Sequence, residues 1–335
     1  MLSLIARRLI QMPLILGVLY TLTLALAWAV PGNPMDRGEG RRPPEEVVLA
    51  MKRQYNLDSF WSFYWSYLDS ASGVKFVRES LSGEAAARAE RFEKDGIVPP
   101  PRMVFDLGPS LQYRDRGVNE IIASSLPVSI QVGTLSIVIA LVIGLGAGII
   151  GALRPNSLAD LATLAISLIG ISLPTFVIGT AILLVFPVWL GIGKAGSSAG
   201  LAGLALPAFT LALPTAAYIA RLTRLGMLEQ LGADYIRTAR AKGVPESRVI
   251  LKHALKNAFL PVLSFLGPAT AYAMTGSFVV ERVFTVPGMG QHFVAAVQNK
   301  DLFLIIGVVM IYAAMLVLFN LAVDVLYRWV DPRIH

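Results

Sequence analysis

The residues that could do covalent chemistry in this chain are few, and their spacing argues against it. Gly191-Ile192-Gly193-Lys194 carries the glycines and lysine of a phosphate-cradling loop. It lacks the required spacing, and no Ser or Thr follows Lys194 to hold a magnesium ion, so nucleotide hydrolysis is not expected here. His253, His292 and His335 all fall outside the long apolar runs, which leaves no base or metal cluster for a protease or transferase within a membrane. With no Cys in 335 residues there is no thiol nucleophile, disulfide framework or Cys-ligated metal. Asp324 is the one charge well inside an apolar run, near that run's inner end. An ion-coupled secondary transporter would place ionisable groups at mid-membrane.

What remains is mechanical rather than covalent. Ala233 to Val262, ADYIRTARAKGVPESRVILKHALKNAFLPV, is a basic amphipathic stretch set between two apolar segments long enough to cross a bilayer. Asp234 opens a helix with an acid near its positive end. Tyr235, Ile236 and Ala239 share one side of it, while Arg237, Arg240 and Lys242 project around the other. Gly243 supplies the left-handed residue that stops the helix. Pro245-Glu246 starts a second helix in which Val249, Ile250, Ala254 and Leu255 face inward. A simple positive anchor on anionic lipid needs no small Ala239 and Ala241 ahead of a fixed break. A docking helix that enters another protein's groove does.

The elements around this stretch are membrane spans. Hydrophobic residues make up 55% and charged residues 15% of the chain, and the mean hydropathy is +0.63; soluble domains carry about 25% charged residues. The net charge of +7 is not a nucleic-acid surface. Between residues 31 and 125, 13 basic and 14 acidic residues cancel, whereas 8 basic against 3 acidic residues lie between 221 and 256. The surplus sits at membrane borders and reads as topology.

In chain order, Arg7-Arg8 precedes an apolar run, Leu9 to Val30, longer than a signal core and long enough to span. Pro31-Gly32-Asn33-Pro34 closes it. Residues 31–125 form one large extracytoplasmic loop. A helix is expected to start at Pro43-Pro44-Glu45-Glu46. FWSFYWSYL, Phe60 to Leu68, is read as an amphipathic helix at the membrane interface rather than a ligand-stacking platform. The charge-dense SGEAAARAERFEKDG is read as an exposed helix ended by Pro99-Pro100-Pro101. Further spans are expected at Leu126–Leu153, Leu161–Leu190, Leu204 to about Ala220, Leu260–Val280 and Leu302–Tyr327. Gly144 and Gly148 are spaced for close helix contact in the second. Ser172-Leu173-Pro174-Thr175 interrupts the third, and Pro207 and Pro214 lie in the fourth. Six spans place both termini in the cytoplasm. The organisation is therefore helix 1 (1–30), the extracytoplasmic loop (31–125), a core (126–328) with an inner loop at 221–259, and a tail (329–335).

RTARAKGVPESRVILKHALKNAFLPV resembles the cytoplasmic loop of binding-protein-dependent ABC transporter permeases, within the dipeptide/oligopeptide (peptide/nickel) family and its first-permease, B-type subunit. Pro31-Gly32-Asn33-Pro34, Asp106-Leu107-Gly108-Pro109-Ser110, Tyr113, Leu126-Pro127, Glu281, Phe284, Pro287-Gly288-Met289-Gly290, Asn320, Asp324, Tyr327 and Asp331-Pro332-Arg333 extend the match. Arg237 stands where the general permease motif has an acid, and Leu260-Pro261 falls later than in sugar permeases; both shifts resemble the peptide subfamily. Residues 70–104 are longer than usual.

The resemblance implies an all-α polytopic protein of the ABC type I importer permease fold. It makes the chain half of a peptide pathway in a bacterial inner membrane; nickel complexes or oligosaccharides are the alternative cargo. A second homologous permease, two nucleotide-binding subunits and an extracytoplasmic solute-binding protein are the implied partners. ATP and Mg would bind the nucleotide-binding subunits, with no cofactor on this chain. Asp234, Tyr235, Arg237, Thr238, Ala239, Arg240, Ala241, Lys242, Gly243 and Pro245 would couple to the ATPase. Pathway candidates, chosen as polar residues within spans, are Gln131, Thr134, Ser172, Thr175, Thr210, Tyr218, Tyr272 and Thr275.

Overall fold

The computed structural model describes residues 2–30, 49, 52–53, 55–85, 102–113, 115–193, 200–274 and 278–330. Pro31–Pro34, the expected helix start at Pro43–Glu46, most of the charge-dense segment, Pro99–Pro101, Lys194, Thr275 and Asp331–Arg333 lie outside them.

The described residues are almost entirely helical, with one isolated bridge between Pro109 and Gly117. In order they form α1 (Leu2–Ala29), α2 (Phe60–Ala71), α3 (Val74–Ser82), α4 (Val118–Leu153), α5 (Leu158–Ser172) and α6 (Thr175–Leu183), which runs on as a π turn over Leu184–Trp189. There follow α7 (Leu201–Leu231), α8 (Asp234–Ala241), α9 (Glu246–Arg248), a π segment (Val249–Ala254), α10 (Leu255–Ala258), α11 (Leu260–Met274), α12 (Phe278–Val283), α13 (Met289–Gln298) and α14 (Leu302–Val330). By length and composition α1, α4, α7, the α11–α12 stretch and α14 can each cross a membrane. The α5–α6 pair adds a sixth span if it is counted as one, although it bends by 106°. Pro174 is the physical cause of that break, because it disfavours a helical Leu173; Leu173 is extended at φ −82°, ψ 133°.

Two compact units emerge. The first comprises residues 1–13, 125–291 and 312–335. Its core gathers α4, α6, α7, α11 and α12 around Ala140, Leu211, Ile219, Val262 and Phe284. Glycines let the helices approach to backbone contact. A Cβ on Gly144 would sit 2.7 Å from the Ala216 carbonyl, and one on Gly148 2.6 Å from that of Ala220, so the Gly144/Gly148 spacing does serve packing of α4 on α7. Gly133 meets the backbone of Ala273 on α11 in the same way. Asp160, 1% exposed, receives Arg224 through Nε (2.5 Å) and Nη2 (2.8 Å), a fork geometry suited to carboxylate. Arg8 on α1 binds Asp324 on α14 through Nε (3.0 Å) and Nη2 (2.8 Å), so the buried-looking acid of the last span has a partner.

The second unit comprises residues 14–124 and 292–311. Its centre is aromatic. Tyr20 stacks on Tyr67 at 5.7 Å and donates to the Tyr64 carbonyl at 2.8 Å. Phe63 and Tyr67 are buried, with Phe303 edge-on to Phe63. Trp61 and Trp65 are more than 60% exposed. The aromatic run is thus an amphipathic helix with a packing face and a tryptophan face, as its spacing implies. Asp301 organises the end of α14, accepting from the Ser110 hydroxyl (2.5 Å), the Gln112 amide (3.1 Å) and the Leu304 amide (3.1 Å).

Helices run past three of the expected limits. The helix that carries the second span begins at Val118, ahead of Leu126, and Ile121 and Ile122 are already buried in it. The fourth does not stop near Ala220: α7 continues to Leu231, since Met227 and Leu228 prolong the apolar stripe and Arg224 is neutralised by Asp160. Its arginines belong to a helix, not a loop. Glu281 and residues 289–298, expected in an outer loop, are helical in α12 and α13.

Candidate coupling site and pathway surface

α8 is built as the sequence spacing implies. Ile236 is fully buried beside Met227, Val249, Ala254 and Ala258, with Ala239 half-buried in the same cluster. Asp234, Arg237, Thr238, Arg240 and Ala241 are exposed, as are Lys242, Gly243 and Pro245 beyond the helix end. Thr238 Oγ1 returns to the Asp234 carbonyl at 3.0 Å, and Arg237 lies 3.6 Å from Asp234. That exposed pair adds little by itself.

The glycine break is a defined structure. Gly243 has φ +71°; its amide donates to the Arg240 carbonyl at 2.9 Å and the Val244 amide to that of Ala239 at 3.2 Å. This is the Schellman arrangement, closed by the apolar contact of Val244 with the α8 cluster. Arg240 then grips Glu246 with two bonds, 3.1 and 2.6 Å, across the break. Those bonds hold the Glu246 carboxyl below the usual carboxylate range and the Arg240 guanidinium above its own. Beyond it, Val249 and Ala254 are buried and Ile250 and Leu255 half-buried, matching the expected inward face, although the helix widens into a π turn there.

Tyr235 departs from expectation. Its ring is 40% exposed while its hydroxyl donates to Gln230 Oε1 (2.8 Å) and accepts from Asn257 Nδ2 (3.2 Å). It therefore ties α7 and α10 to α8 rather than packing beside Ile236. Gln230 and Asn257 carry no sequence signal for this, whereas opposite charges at Arg240 and Glu246 flanking a glycine do.

The pathway candidates scatter. Gln131 and Thr134 are exposed on α4, on a stripe with Pro127, Val138 and Val142. Tyr272 is exposed on α11, and Tyr218 on α7 stacks against Phe265 of α11 at 4.6 Å. Ser172 and Thr175 flank the 106° bend, exposed and half-buried respectively. Thr210 is fully buried, its hydroxyl bonded to the Leu206 carbonyl of its own helix at 2.9 Å. It packs α7 and lines no surface. Thr275 is outside the described residues.

A further polar device was not legible beforehand. Glu281, 1% exposed, accepts from Ser129 Oγ (2.8 Å) and from the Gly290 (2.8 Å) and Gln291 (3.3 Å) amides. It caps the start of α13 from α12 and fixes the turn at Pro287–Gly290 to α4, since Ser129 Oγ also accepts from the Met289 amide at 2.8 Å. Gly288 has no side chain because one would collide with this carboxylate.

Helices apolar and long enough to cross a membrane, one pair of them sharply bent, with a short basic amphipathic helix between two of them, are the make-up of a multi-pass membrane protein. In fold the chain is similar to a chain of the MetNI methionine ABC transporter in an inward-facing conformation, with a TM-score of 0.51, 20% identity, and 63% of this chain and 96% of that one covered. Residues 127–335 match the family described as binding-protein-dependent transport system inner membrane component, and the chain belongs to that family. It is a multi-pass inner membrane protein, the permease component of an ABC transporter. It is 36% identical, over the whole of both chains, to the oligopeptide transport system permease protein OppB of Haemophilus influenzae and to that of Escherichia coli. It is also 36% identical to the dipeptide transport system permease protein DppB of Bacillus subtilis, covering 95% of this chain and 92% of that one.

Proposed function

We propose that the chain is one of two permease subunits of an ATP-driven importer of di- or oligopeptides, and that α8 is the lever through which the ATPase moves it. The names of its full-length relatives support the cargo class. In this reading two nucleotide-binding subunits carry ATP and Mg, a solute-binding protein delivers peptide to the outer face, and both termini lie in the cytoplasm. The single observation that carries the lever is the construction of α8: an exposed basic face, one buried anchor at Ile236, and a rigid stop at Gly243. A helix seated in this way transmits a push from its exposed side into α7, α10 and the π segment without deforming. A π turn at Val249–Ala254 supplies a place where that strain is taken up. The uncharged Gln131, Thr134 and Tyr272 on exposed helix faces suit the amide groups of a peptide backbone.

The natural absence of Cys makes the test direct. Thr238→Cys, on the exposed face of α8, is expected to form a disulfide with a cysteine placed in the groove of the nucleotide-binding subunit, at a rate that changes with ATP. Val142→Cys, exposed within an apolar span, serves as the control. Equal cross-linking from both positions, or none from Thr238→Cys in an assembled complex, overturns the assignment.

A further inference from the structure

α5 is held to the rest of its unit by a polar grip. Every Leu and Ile along it is exposed, and its two buried residues are Asp160 and Ser167. Apolar side chains therefore do not fasten this helix within the chain. The fork from Arg224 does. Asp160 Oδ1 accepts from Nε, and Oδ2 accepts from Nη2 and from the Asn156 amide at 2.8 Å. Both carboxylate oxygens are thus engaged, and the turn between α4 and α5 is fixed to the same point. Gly151 of α4 closes another side: a Cβ there would lie 3.1 Å from Asp160 Oδ1 and 3.4 Å from Arg224 Cδ.

Stability alone is a poor reason for such a pair, because apolar residues of similar volume often hold a fold as well as a buried ion pair or better. What a fork adds is direction. Two parallel bonds to a planar carboxylate fix its orientation as well as its distance. The neighbouring elements show what that direction serves. Arg224 stands one turn before Met227 on the unbroken α7, and Met227 is buried in one cluster with Ile236 of α8. At its other end α5 stops at Leu173 and Pro174, and across the 106° bend α6 joins the core through Ile178 and Ile182. α5 is a strut jointed at the fork and at the bend, and the bend carries Ser172 and Thr175.

We propose that Asp160 and Arg224 are positioning residues for transport: the fork makes α5 travel with α7, so that displacement of α8 reaches the bend at Ser172–Thr175. Rigid helices joined by discrete ion-pair contacts carry coupling in this way. This route rests on α8 being the lever and continues it into the membrane.

The test uses the assembled transporter in lipid nanodiscs and D160L/R224M, which fills the joint without charge. Its melting temperature is expected to match or exceed that of the parent. Peptide uptake and peptide-stimulated ATP hydrolysis are expected to fall at least about fivefold, the lower end of an ordinary coupling. Arg224→Lys, which keeps the charge and loses the fork, is expected to lie between the two. A second measurement leaves the pair intact. Spin labels on Leu168→Cys of α5 and Leu225→Cys of α7, both exposed, are expected to keep one separation with and without ATP. In D160L/R224M that separation is expected to change with ATP. Full uptake and stimulated hydrolysis in D160L/R224M, or a separation in the parent that changes with ATP, overturns the proposal. Failure of α8 as the lever reads differently: the ATP-dependent cross-link from Thr238→Cys is then missing with the pair intact, whereas a working lever keeps it even in D160L/R224M.

Discussion

Substitution at Gly243 separates backbone geometry from contact. A Cβ there would meet no atom within 4 Å, yet φ is +71°. Any penalty therefore comes from the left-handed backbone alone. An L-residue in that region costs roughly 1–2 kcal/mol, and Asn less, because its short side chain suits the conformation. The two bonds that close the stop, from the Gly243 and Val244 amides, contribute about 1 kcal/mol each. The strain and the latch are thus of equal size, and a shift of this magnitude changes a two-state population by about 5–30-fold. Gly243→Val is expected to fray the end of α8, lowering receptor- and substrate-stimulated ATP hydrolysis in the reconstituted transporter at least fivefold. Gly243→Ala is expected to lie midway and Gly243→Asn near the parent, with insertion unchanged in all three. Full coupling in Gly243→Val, or equal damage from Asn and Val, refutes the backbone origin of the effect.

Two further outcomes follow from buried and half-buried polar groups. Glu281→Gln keeps the volume but replaces one acceptor oxygen with a donor, so the side chain can no longer accept both from the Ser129 hydroxyl and from the Gly290 and Gln291 amides; an unsatisfied buried donor costs about 1–3 kcal/mol, so thermal unfolding in detergent is expected to come earlier, and an unchanged midpoint contradicts the capping role. His292, half-buried and edge-on to Tyr113 at 5.8 Å, is held below its ordinary 6.5 by burial first and the Arg116 charge second. Its folded pKa is depressed, so its contribution to stability is complete above about 6.5 and is lost as pH falls through the lowered value. Melting temperature between pH 7.5 and 5 is expected to fall less steeply in His292→Phe, and superimposable profiles exclude His292 as the titrating group.

Much of this architecture was legible because hydrophobic period and special residues agree with it. The apolar runs located the spans; Gly243 marked its own left-handed stop, and Gly144 and Gly148 their close contact. The errors share one physical origin. By composition alone a charge marks the end of a span, but Arg224 remains helical because Asp160, distant in sequence, neutralises it, and Glu281 is buried because Ser129 and two amides satisfy it. Pairing of that kind is invisible to local reading. Polarity within a span was likewise a poor guide to lining: Thr210 bonds its own helix, while Gln131 and Tyr272 reach a surface. Tyr235 shows the same limit, since its partners Gln230 and Asn257 lie on other elements.

The seam between α4 and α7 extends beyond its two glycines. Ala140 and Ala152 continue the four-residue spacing of Gly144 and Gly148 on one helix, and Ala208, Ala212, Ala216 and Ala220 repeat it on the other, all of them buried. Two rails of small residues therefore run side by side. Translating one helix by four residues, about 6 Å, brings small residues opposite small residues again. The teeth of the seam are Ile219 and Thr223 of α7, whose β-branched side chains seat in the notches left by Gly144 and Gly148. Register is also held at fixed points beyond the rails, where Gly151 abuts Asp160 and Arg224 and where Gly133 abuts Ala273. A bulky residue placed on a rail would consequently act as a brake on sliding as well as a wedge in the packing.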